Sequence, residues 1–72
     1  MTDPLQDQVG GDHYRSMAIQ PVQFIVANDI PFLDGTIISY ICRHKRKGGK
    51  QDLLKARHCI DLLMELEYPP GP

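Results

Sequence analysis

Five of the chain's eight Lys and Arg residues fall within one eight-residue stretch, Arg43-His44-Lys45-Arg46-Lys47-Gly48-Gly49-Lys50. The formal net charge of the whole chain is only −1, so it is the local concentration of cations that points to an anionic partner. Arg43 offers a planar fork that grips phosphate at two points, whereas Lys45, Lys47 and Lys50 are point charges on flexible stems. Gly48 and Gly49 allow backbone N–H groups to approach an anion closely and to adopt φ > 0. The chemistry these types suggest is capture of a phosphate-bearing ligand. A helix C-terminus is the structural alternative, because Lys and Arg oppose the macrodipole there and Gly ends the helix. The stretch alone does not separate the two.

Further residues extend the set. Tyr40 lies three positions before Arg43, so a hydroxyl and a guanidinium share one side of a helix. His13 and Tyr14 offer a ring for stacking on a base and donors for sugar or phosphate. Lys55 follows the basic stretch, three residues after Asp52, and both can reach it. Each has a plainer use: the tyrosines as aromatics at the edge of a core, His13 as a backbone partner, Gln20 as a helix cap. Asp52 also complements a helix N-terminus, and the Lys55 stem can snorkel.

Conventional catalytic patterns are missing. There is no GxxxxGK[ST] cradle, which excludes an ordinary P-loop kinase. Phosphoryl transfer needs Mg²⁺ held by carboxylates or by the nucleotide. Asp52 is the only acid near the basic stretch in sequence, with Asp12 able to join it across the fold. Glu65 and Glu67 face different sides at the far end of their helix, against an all-helical pyrophosphatase. Cys42 and Cys59 both sit on apolar stripes, a poor setting for a nucleophile, although Arg43 and His44 follow Cys42 directly. Nucleic acid is disfavoured as a partner by the scattered acids and a pI near 6.2.

These residues require elements to position them. Pro21 suits a first helical turn, and Val22, Phe24, Ile25 and Val26 continue a short apolar helix to about Asn28. Ile30-Pro31-Phe32 reads as a turn. Asp34 is expected as the N-cap of a second helix, with Gly35 and Thr36 in its first turn and Ile37, Ile38, Ile41 and Cys42 as its stripe. That helix should stop near residues 45–47. A third opens at Gln51-Asp52 and runs to about Leu66, before Pro69-Pro70-Gly71-Pro72. On it, Leu53, Ala56, Cys59, Ile60, Leu62, Leu63, Met64 and Leu66 span an arc of about 200°, twice what one packing partner requires. The second contact is expected to be another subunit. Arg57, His58, Asp61 and Glu65 make an ordinary solvated face.

Seventy-two residues form one domain at the lower limit of a self-supporting core. The expected division is a flexible arm over 1–11, a helical domain over 12–67 and a Pro-rich tail over 68–72. The cysteines form no CxxC pair and the histidines have no zinc-finger spacing, so a reducing setting and no metal are expected. No signal peptide or membrane-length span is evident.

The order Asp12-His13-Tyr14, Ile19-Gln20-Pro21, Gly35, Tyr40-Ile41-Cys42-Arg43, Lys45, Lys47-Gly48-Gly49 and Asp52-Leu53-Leu54-Lys55-Ala56 resembles a family of small bacteriophage proteins. Many of these are known only as a domain of unknown function, and some members are described as nucleotide kinases without a P-loop. The resemblance spans about residues 10–66. Arg15 stands where Lys is usual after the His-Tyr pair, Ser39 replaces a common Lys, and His58-Cys59 replaces a frequent aromatic. It implies a location in the cytoplasm of an infected bacterial host and a nucleotide ligand.

The resulting expectation is an all-α fold, a short helix and then a two-helix hairpin joined by a basic Gly-Gly loop, completed by homo-oligomerisation. The expected function is binding or sequestration of a phosphorylated nucleotide, such as a host defence signal, by His13, Tyr14, Arg15, Tyr40, Arg43, Lys45, Lys47, Gly49 and Lys55. The alternatives are a nucleoside monophosphate kinase in which Asp12 or Asp52 assists Mg²⁺, and an inhibitor whose basic loop docks on an acidic host protein. Arg43→Ala is expected to abolish binding and leave the assembly intact.

Overall fold

Proline and glycine set the boundaries of three helices in a computed structural model that describes residue 14 and residues 16–71. The elements are α1 (Pro21–Ala27), α2 (Phe32–Arg43) and α3 (Lys50–Glu67), with no strand among the described residues. The fold is therefore all-α. The arm over 1–11 and the candidates Asp12, His13 and Arg15 lie outside the described residues.

Pro21 opens α1, and a Gln20–Gln23 capping box closes its start, the Gln20 N–H donating to the Gln23 side chain at 2.7 Å. At the other end Asp29 adopts φ 52°. This allows Ile30 N–H to reach Ile25 C=O at 3.0 Å and Asp29 N–H to reach Val26 C=O at 3.2 Å, a Schellman cap. Asp tolerates that conformation better than most non-glycine residues.

The start of α2 differs from expectation. Pro31, at φ −62° and ψ 164°, occupies the N-cap, so the helix already runs at Phe32 and Asp34 lies inside its first turn. Proline's fixed φ and missing N–H suit the end of the preceding turn and leave nothing for Asp34 to cap. Its carboxylate still complements the dipole, although Oδ1 is buried with no hydrogen-bond partner among the described residues. The helix also ends earlier than expected, at Arg43.

α2 packs along α3, and among the described elements α1 packs against α2 alone. Gly35 makes the second contact possible: a Cβ there would lie 3.1 Å from Ile25 Cγ2. Little apolar surface is removed from water. Ala56 is the one buried hydrophobic among the described residues, and the most deeply buried side chain is the carboxylate of Asp52, 1 % exposed. Ile19, Val22, Phe24, Val26, Phe32, Met64 and Leu66 are each about half exposed or more. No described helix is long and apolar enough to cross a membrane.

Candidate functional site

The end of the hairpin that carries residues 44–49 is organised around Asp52. Arg43 closes α2, Asp52 sits in the first turn of α3, and the turn brings them together. Arg43 Nε donates to Asp52 Oδ2 at 3.1 Å and Nη2 donates to Oδ1 at 3.0 Å, a bidentate pair. The Gly48 N–H adds a third bond to Oδ2 at 3.0 Å. The Arg43 hydrogen bonds hold the Asp52 carboxyl below the usual carboxylate range against the opposing effect of burial, helped by Gly48 N–H. The same pair pushes the Arg43 guanidinium further up.

The two glycines act as backbone elements. A Cβ on Gly48 would fall inside van der Waals contact of the Asp52 carboxylate, so only glycine admits this approach. Gly49 has φ 56° and ψ −135°, a region reserved for glycine, and serves as N-cap of α3. Backbone bonds order the turn: Lys47 N–H to Arg43 C=O at 3.0 Å, Gly49 N–H to His44 C=O at 2.7 Å, and Asp52 N–H to Gly49 C=O at 3.1 Å. A glycine N–H does meet an anion here, and that anion is the chain's own Asp52.

Tyr40 lies between two cations. Arg43 Cζ stands 4.8 Å from its ring centroid and Lys55 Nζ 5.8 Å. Tyr14 is half-buried beside them. Its hydroxyl donates to Ser39 C=O at 3.0 Å, burial pushes its pKa up, and the neighbouring Arg43 pulls the other way. Arg46 bonds the hydroxyl of Ser16, so residues 14 and 16 are tied to the end of α2 and the following turn. The structure thus brings Tyr14, Tyr40, Arg43 and Lys55 together around Asp52. Lys45, Lys47 and Gly49 are exposed on the turn.

Two grooves meet at Tyr40. One, of about 500 Å³, runs between α1 and α2 from Ile25, Pro31 and Phe32 to Ser39, Tyr40 and Arg43. The other, of about 420 Å³, is lined by Tyr40, Gln51, Leu54, Lys55, His58 and Cys59. Gln51 and His58 were not among the sequence candidates. Their spacing from Lys55, four before and three after, places all three on one helical face and was the available signal. Among the described residues no cluster of three or more His, Cys, Asp or Glu is arranged to hold a metal ion.

Residues 8–61 match the model of a family described as a protein of unknown function (DUF3310). This agrees with the resemblance to an uncharacterised family read from the sequence. No curated protein and no solved structure matches the chain.

Proposed function

The chain belongs to this family, and we propose that it binds a phosphorylated nucleotide at the α2–α3 turn. The observation that carries the reading is the charge left over once Asp52 is accounted for. Arg43 neutralises the one carboxylate of this end inside the fold, and no ion pair is formed by Lys45, Lys47, Lys50 or Lys55 among the described residues. Lys55 lines the 420 Å³ groove, and Lys45, Lys47 and Lys50 stand exposed on the preceding turn and at the start of α3. The groove's volume lies within the range of small-ligand sites. Lys55, with Lys45, Lys47 and Lys50, would take the phosphates, and Gln51 and His58 would read base or sugar, with Leu54 as the apolar wall.

In this arrangement Arg43 is a positioning residue. Its fork is occupied by Asp52, so it holds the turn and leaves phosphate to the lysines. Binding without turnover, and hence sequestration, is favoured over a kinase because both Asp52 oxygens accept hydrogen bonds from the protein. Capture of a host defence nucleotide is the biological form of this reading, in the bacteriophage setting that the sequence resemblance implies; the same resemblance also supports the kinase alternative. Homo-oligomerisation belongs to the same proposal, supported by the apolar side chains left on the surface of one protomer.

The test is a thermal-shift screen of mono-, di-, tri- and cyclic nucleotides, with and without Mg²⁺, on the wild type and Lys55→Ala. A ligand at a hundred times its Kd adds about 2.7 kcal/mol. A Mg²⁺-independent shift by one nucleotide class, reduced in Lys55→Ala, is the expected result. Phosphate transfer from ATP with Mg²⁺ would replace sequestration by the kinase. No shift with any nucleotide would refute the reading and favour an acidic protein partner.

A further inference from the structure

The charges of α3 are segregated along its length. Lys50, Lys55 and Arg57 occupy its first half and Asp61, Glu65 and Glu67 its second, while Asp52, the remaining acid, is already matched by Arg43. Side by side in parallel, two such helices would set like charges against like. Antiparallel, they set each basic half against an acidic half, and their macrodipoles also oppose favourably.

The apolar surface agrees with this direction. Apart from Leu54, which lines the groove beside Tyr40, the less exposed positions of α3 are Asp52, Ala56, Cys59 and Leu63, at i, i+4, i+7 and i+11, and these mark the side turned to α2. Leu53, Ile60 and Met64, 39 %, 40 % and 51 % exposed, form a second stripe about 90° further round the helix. Two contact stripes at about a right angle are the geometry of a helix in a four-helix bundle. The opposite flank carries Lys55 and the groove beside Tyr40, and remains open.

We propose that the Leu53–Ile60–Met64 stripe packs against the same stripe of a second copy, antiparallel and in full overlap, so that two α2–α3 hairpins form a four-helix bundle. In that register Leu53 lies opposite the partner's Met64. Arg57 lies within about one residue of the partner's Asp61, on the same edge of the seam, and twofold symmetry makes this contact twice. The proposal specifies the interface of the self-association in the functional reading above and is independent of nucleotide binding.

Light-scattering mass measurement of the full chain over a concentration series should give an even multiple of the 8.2 kDa protomer mass. Ile60→Glu should shift it to the protomer. Arg57 and Asp61 are exposed, so exchanging their charges probes direction without touching the fold. Arg57→Glu turns two attractions into two repulsions and should weaken association about tenfold, and adding Asp61→Arg should restore it to within about threefold. A protomer mass at every concentration, an odd multiple, or a double variant no better than Arg57→Glu would overturn the proposal. Nucleotide shifts measured on the same samples report separately: their absence alongside a restored double variant refutes the functional reading and supports this interface.

Discussion

Gly49→Ala isolates the backbone demand of the turn. A Cβ at this position meets nothing within 4 Å, so no steric clash contributes. What remains is the conformation, φ 56° with ψ −135°, for which an L-residue is destabilised by about 1–3 kcal/mol. Alanine also restricts the unfolded chain, which returns about 0.4–1 kcal/mol. The net destabilisation is about 1.5 kcal/mol, or a Tm lowered by roughly 6–12 °C for a domain of this size, measured at one fixed protein concentration. Asparagine provides an internal control. It relieves strain in the left-handed helical region, where ψ is about +47°, and not at ψ −135°. Gly49→Asn should therefore cost as much as Gly49→Ala. The assay is urea denaturation followed by circular dichroism, with midpoints compared at constant m. An alanine variant within about 0.3 kcal/mol of wild type, or an asparagine variant much milder than alanine, would refute the account of this turn.

Two other predictions concern groups whose ionisation the fold controls. The Asp52 pKa is depressed in the folded state, so the stability it contributes is present above the unfolded value of about 3.9 and is lost as pH falls below it; denaturation midpoints of the wild type should drop through that window, and those of Asp52→Asn should drop less. Tyr14 is raised by burial, so its contribution is present below about pH 10 and lost as pH rises above it. Tyr14→Phe, which removes the bond to Ser39 C=O, should lower stability by about 1 kcal/mol and abolish the late-titrating phenolate absorbance.

The helices were legible because their limits are written in residues with few conformational options. Pro21 starts α1 and Pro69 follows α3, and both ends lie within two residues of the expected positions. The start of α2 was misplaced since Asp34 has the right type for an N-cap, while Pro31, with no capping side chain, holds that place through its backbone angles. In the site, Tyr40 and Arg43 were readable from i,i+3 spacing on one helix. The Arg43–Asp52 pair was not: it spans two helices across a turn, and helical projection orders residues around one axis only. Asp52 did stand out as an acid within an apolar arc, a signal of burial that names no partner. The contact between Lys55 and the Tyr40 ring escaped for the same reason.

A buried ion pair is a poor source of net stability compared with apolar side chains of the same volume, because desolvation offsets most of the attraction. Its presence at the most buried position among the described residues therefore calls for another explanation. Apolar contacts are non-directional, and in a hairpin with Ala56 as its one buried hydrophobic among the described residues they would allow α2 and α3 to slide or rotate against each other. A bidentate guanidinium–carboxylate pair joined by the Gly48 N–H permits one register. Lysine at position 43 would keep the charge and lose the fork. By fixing α3 in rotation, the pair also decides which stripe of that helix faces outward. The same contact that pairs Asp52 with Arg43 thus keeps Leu53, Ile60 and Met64 on the outer side of α3, the stripe proposed above to meet a second copy.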